Sequence, residues 1–174
     1  PKSLYTSFWG DRLLEVDVEQ VRTLAAVKGR KVKKPEVLFT LDQVNADIDT
    51  AKWGKVYSLM SHRFPSGKET CCLLATSKVR FLYDWKARKV VWQQPVAEQV
   101  QASEYEQQSR QTAYVKDWNL YVTRAEGQTL QVTTDGSRAL QYGMSVHRDE
   151  FGIHQGLFWS PKGSLLAFYR MDQT

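Results

Sequence analysis

Cysteine is scarce in this sequence: there are two, Cys71 and Cys72, and they are neighbours. On a strand, adjacent side chains point to opposite faces, so these two do not readily bond to each other. One is expected to face the core and the other to pack between sheets. Two cysteines build no disulfide framework, and they leave the compartment open. Histidine is as sparse. His62, His147 and His154 show no spacing with cysteines or carboxylates that reads as a zinc site, so no metal is expected. No apolar run approaches the roughly 18 residues that a membrane span needs. Pro1 to Phe8 lacks the charged-then-apolar layout of a signal peptide.

Reactive motifs are missing too. There is no Gly-x-Ser-x-Gly elbow. The nearest approach, Gly143-Met-Ser-Val-His147, ends in histidine and has no strand-turn-helix pattern around it. There is no glycine-rich phosphate loop. Neither catalytic residues nor a cofactor is therefore expected on these residues.

What is present is a chain of 174 residues, 42% hydrophobic and 25% charged, long enough for one domain with a real core. The net charge is +5, which raises the question of nucleic acid. The one dense basic run, Lys28 to Lys34, holds no aromatic residue and offers no stacking platform. It reads as a solvated loop, and no nucleic-acid partner is expected.

Short aromatic-rich runs with turn signals between them recur along the chain, as in an all-β domain. Strands are expected at 71–76, 79–85, 89–94, 112–116, 119–124, 129–133 and 164–170, with shorter runs at 12–18, 36–41 and 157–159. Helical evidence is confined to a short helix between Asp17 and Val27. The Glu- and Gln-rich stretch from Ala97 to Arg110 reads as a loop with one helical turn. An Ala-aromatic phrase repeats. From Ala75 to Ala113 is 38 positions, one four-stranded propeller blade, whereas Ala113 to Ala167 is 54. The excess falls at about 139–155, so a segment is inserted there. Trp159-Ser-Pro-Lys-Gly163 joins two strands, with Pro161 presetting φ and Gly163 accepting a positive φ. The fold class is therefore all-β, a partial β-propeller of four-stranded antiparallel blades, about three blades or part-blades over 1–174. Open strand edges seek partners, which makes self-association, including a homodimer, an expectation.

From Ser145 to Asp172 the sequence runs Ser-Val-His-Arg-Asp-Glu-Phe-Gly-Ile-His-Gln-Gly-Leu-Phe-Trp-Ser-Pro-Lys-Gly-Ser-Leu-Leu-Ala-Phe-Tyr-Arg-Met-Asp. This stretch resembles the dipeptidyl peptidase IV branch of the prolyl oligopeptidase family, bacterial members in particular. The resemblance implies a secreted or periplasmic serine exopeptidase. In such a protein a propeller covers a C-terminal α/β-hydrolase domain with a Ser-Asp-His triad, absent from these residues. It implies substrates cut near a free N-terminus, often after proline. It also implies that an acidic segment reaches out of the propeller to hold the substrate's α-amino group. The matching residues are Asp149 and Glu150, with Glu150 the expected amine ligand. Asp149 is either a second ligand or a partner that neutralises Arg148. The hairpin Thr76-Ser-Lys78 is too short for the extension that carries a substrate-binding arginine in eukaryotic-type members. Arg80 and Arg88 lie in or beside ordinary strands. Dipeptide and tripeptide release stay open, as does a propeller used only as a protein-binding scaffold.

Overall fold

The computed structural model describes residues 5–24, 26–28, 31–146 and 152–173. They form two compact units, 1–96 and 97–174.

The first unit opens with β1 (Tyr5–Trp9), β2 (Arg12–Val16) and β3 (Gln20–Thr23). A hairpin follows, β4 (Ala26–Lys28) and β5 (Lys31–Lys33), and then β6 (Val37–Thr40). β1, β2, β3 and β6 make one four-stranded antiparallel sheet in that order. One face of it is apolar: Leu14, Val16, Val21 and Phe39 are buried. The expected helix between Asp17 and Val27 does not form. The Asp17 carboxylate accepts the N–H groups of Glu19 and Gln20 at 2.8 and 2.9 Å. That turn feeds Val21 and Thr23 into a strand, the conformation that β-branched side chains favour. The basic run is also no loop, because β4 and β5 pair from Ala26↔Lys33 to Lys28↔Lys31.

Two short helices come next, α1 (Leu41–Asp47) and α2 (Thr50–Trp53), and then a 3₁₀ turn, Leu59–Ser61. The Thr40 hydroxyl caps α1 by accepting from the Gln43 N–H at 3.1 Å, and the Asp49 carboxylate caps α2 through Lys52 N–H at 3.1 Å. Elements this short leave no periodic signature, and α1 buries only Val44.

The second sheet is β7 (Cys71–Ala75), β8 (Val79–Asp84) and β9 (Lys89–Pro95). Arg63 supplies a one-residue fourth strand. Its N–H donates to Leu73 O at 3.2 Å, and Leu73 N–H donates back at 2.7 Å. Cys72 is fully buried and Cys71 is half-buried, with no disulfide between them. The core centres on Trp85, edge-on to Trp9 at 4.9 Å, stacked on Phe39 at 5.4 Å and edge-on to Phe64 at 5.8 Å. Polar groups tie α1 to this core. Tyr83 donates its hydroxyl to Asp47 Oδ2 at 2.6 Å, and Arg88 grips both Asp47 oxygens at 2.8 and 2.9 Å. Burial, with Asp47 alongside, pushes the Tyr83 phenol up to about 12. The His62 ring is held between Leu59 O at 3.0 Å and the Ser7 hydroxyl at 2.8 Å, which anchors β1.

The second unit holds β10 (Ala102–Glu106), β11 (Gln111–Lys116), β12 (Asn119–Thr123) and β13 (Thr129–Gln131), a four-stranded antiparallel sheet in that order. β10 lies where a loop was expected. Its low hydrophobicity hid it, although Ala102 packs on the core and Glu106 is buried. The remaining strands are β14 (Leu140–Tyr142), β15 (Leu157–Trp159), β16 (Leu166–Phe168) and β17 (Arg170–Asp172). β15 pairs with β16 and β14 with β17. Only Tyr169 separates β16 from β17, and its backbone bridges the gap on the other side. Gly143 N–H donates to Tyr169 O at 2.8 Å, and Tyr169 N–H donates to Gly156 O at 3.1 Å. β14 and β15 are therefore two halves of one strand, interrupted by residues 144–155. The insertion is shorter than the expected 139–155, because residues 140–142 belong to the ladder. Gly163 has φ of +64° in the β15–β16 turn, the conformation expected of it. The architecture is a partial all-β propeller.

Two outcomes follow from these contacts. An alanine Cβ at Gly156 would lie 2.5 Å from Gly143 O and from Met144 C and O, all backbone atoms. Gly156→Ala is expected to cost about 1–3 kcal/mol in denaturant unfolding, the range for overfilling a packed site. A cost indistinguishable from zero would show that the joint is loose. The second outcome concerns His62, whose pKa burial lowers from 6.5. The unfolded chain then binds more protons near and below that value, so stability falls as pH drops through about 6.5. His62→Gln is expected to flatten the fall in unfolding free energy between pH 7.5 and 5.5. The carboxylates whose pKa is lowered, Asp47, Asp84 and Glu106, act at more acid pH.

Candidate functional site

Asp149 and Glu150 lie outside the described residues, as do His147, Arg148 and Phe151. Their flanks are described. The chain leaves the interrupted strand at Gly143, with φ of +68°, and rejoins it at Gly156. The Ser145 hydroxyl donates to Ile153 O at 2.8 Å, which pins the outgoing arm to the returning one. Gly152 has φ of +70°, and Gln155 Nε2 donates to Leu157 O at 2.9 Å. Below the joint, Leu157 is buried in a cluster with Ala113, Val115, Leu120 and Tyr142. The acidic pair thus belongs to a segment whose two ends are fastened at one place on an ordered sheet.

A cavity of about 550 Å³ opens beside that root. Gln101, Ser103 and Glu104 line one side, and Gly152, His154 and Gln155 line the other. The Trp159 indole N–H donates to Glu104 O at 3.1 Å and so ties β15 to β10. The sequence pointed to the insertion but not to this cavity, because β10 itself was not legible. Its only signal is the alternation from Ala102 to Glu106. A second cavity, of about 540 Å³, is lined by Val122, Leu130, Val132, Trp159, Leu166 and Phe168 together with polar groups.

The turn at Thr76-Ser-Lys78 is tight, with Thr76 N–H donating to Val79 O at 2.8 Å and the Thr76 hydroxyl to Trp53 O at 2.6 Å. It carries no extension. The Arg88 guanidinium is engaged by Asp47.

Residues 74–174 match the family described as dipeptidyl peptidase IV (DPP IV) N-terminal region. A protein named as a dipeptidyl-aminopeptidase B in Grosmannia clavigera is 32% identical over 93 residues, 45% of this chain and 10% of that protein. Among solved structures, a candidate dipeptidyl aminopeptidase IV from Bacteroides ovatus superposes with a TM-score of 0.76 at 33% identity. It covers 98% of this chain and 24% of its own. Dipeptidyl peptidase 4 of Porphyromonas gingivalis, at 19% identity and a TM-score of 0.57, shares the fold over 99% of this chain and 25% of its own. The chain thus spans about a quarter of the length of these structures and a tenth of the curated relative. By the family match, which takes in the whole segment from Ser145 to Asp172 and the sheets that hold it, this chain belongs to the dipeptidyl peptidase IV N-terminal region family.

Proposed function

We propose that the protein containing this chain is an exported serine-type exopeptidase that releases dipeptides or tripeptides, with a preference for proline at the cut. In this reading the propeller region admits the peptide and measures it from its free N-terminus. The bond-breaking Ser-Asp-His triad belongs to a C-terminal α/β-hydrolase domain that closes over this region. Nucleic acid has no part in it, and open strand edges make a homodimer a natural assembly.

The observation that carries the reading is the interrupted strand inside the family match. An otherwise continuous ladder is broken by residues 144–155, and a fold gains nothing structural by breaking it. The inserted segment holds Asp149 and Glu150. A carboxylate offered at a fixed place pairs with a substrate ammonium, and in a water-poor cavity that charge-assisted bond is strong. It sets the distance from the amine to the bond that is cut. A peptide with a blocked amine would leave the carboxylate buried and unpaired, and is rejected. Glu150 is the proposed amine ligand, with Asp149 either beside it or neutralising Arg148.

In the full-length protein, Glu150→Gln keeps the shape and removes the charge. The expected loss is about 2–4 kcal/mol in kcat/KM for a free-amine peptide, as for a charge pair deprived of one partner. The loss should act mainly through KM, and the nucleophile should still react with a small phosphonylating probe. An unchanged kcat/KM would reject Glu150 as the amine ligand.

A further inference from the structure

We propose that the cavity at the root of the insertion takes a cationic side chain, lysine or arginine, on the first residue of the peptide, with Glu104 as its counter-charge. This rests on the aminopeptidase reading and adds a substrate class to it. Glu104 is half-buried and lines the cavity. Its main-chain oxygen is taken by the Trp159 indole. Its carboxylate has no hydrogen bond or ion pair among the described residues. A carboxylate drawn partly out of water without a partner costs free energy, and an arriving cation recovers it.

The surroundings suit the same guest. Among the described residues, no lysine or arginine lines the cavity. Gln155 spends its amide N–H on Leu157 O, which leaves its Oε1 to accept. The Ser103 hydroxyl is a further acceptor on the same wall. About 550 Å³ is room for a long side chain, within the usual range of ligand sites. The placement is apt as well. Gly152 lines the cavity and stands two residues from Glu150 in sequence. A peptide whose amine is held by the insertion therefore presents the side chain of that same residue near this wall. Trp159 fixes the wall by joining β10 to β15.

The test uses the full-length protein and two chromogenic substrates, Lys-Pro- and Leu-Pro-p-nitroanilide. The wild type is expected to favour the lysine substrate. Glu104→Gln is expected to lower kcat/KM for it about tenfold and to leave the leucine substrate within about twofold. Glu104→Lys is expected to move the preference to Glu-Pro-p-nitroanilide. Glu150→Gln lowers all of these substrates alike, so a failure at Glu150 and a failure at Glu104 are told apart. A readout independent of turnover is calorimetric binding of lysine amide against norleucine amide. Tighter binding of lysine amide that disappears in Glu104→Gln supports the pocket even if neither dipeptide is cleaved. Equal binding of the two amides, or a Glu104→Gln variant that changes both substrates equally or neither, overturns it.

Discussion

Two backbone hydrogen bonds at Tyr169 hold the interrupted strand of the second unit together. Its carbonyl takes the N–H of Gly143 and its own N–H goes to Gly156 O. A strand cannot be cut in the middle without orphaning ladder groups, and buried backbone groups are rarely left unpaired. Here the two ends of the cut meet opposite a single residue, so the ladder runs from β14 to β15 as if nothing had been inserted. Glycine at both joints is what allows it. A side chain at Gly156 would meet the Gly143 and Met144 backbone, and one at Gly143 would meet Leu157 and Val115. The excursion is thus mounted on the sheet with its ends fixed, and does not hang from the end of a strand.

That mounting gives the electrostatic reading its force. A carboxylate on a loose loop gains little from an ammonium, because ordering the loop costs entropy on binding. A segment fastened by the Tyr169 bonds and the Ser145 hydroxyl has already met part of that cost at folding. The cavity beside its root is lined by one described carboxylate residue, Glu104 on β10. On the proposed reading, the amine and a cationic side chain of one peptide residue would meet separate carboxylates, Glu150 and Glu104.

Much of the fold was legible in the sequence because it is written in short strands with turns between them. The strands from β7 to β9, and β11, β12 and β15, lie within a residue or two of where alternation and turn chemistry put them. The repeat of the Ala-aromatic phrase also fell on real strands, β7, β11 and β16. What escaped had weak local signals. α1 and α2 are too short to show a helical period, and their caps, Thr40 and Asp49, are their clearest marks. The Asp17–Val27 segment had apolar spacing that fits a helix, but the Asp17 turn and β-branched residues made it strand. β10 was hidden by its glutamates and by the glutamines that flank it. The insertion was legible as an excess of length, and its true limits were not, since only pairing shows that Leu140–Tyr142 is ladder. Of the site, Asp149 and Glu150 came from resemblance alone and fall outside the described residues, whereas Glu104 emerges only from the packing of β10 against β15.

Whether the inserted segment holds the amine of a peptide is read directly from a crystal structure of the full-length protein with a bound proline-containing dipeptide. The dipeptide ammonium is expected about 2.7–3.0 Å from the Glu150 carboxylate, the length of a charge-assisted bond. An ordered dipeptide whose amine is held by other groups, with Glu150 turned to solvent, would contradict it.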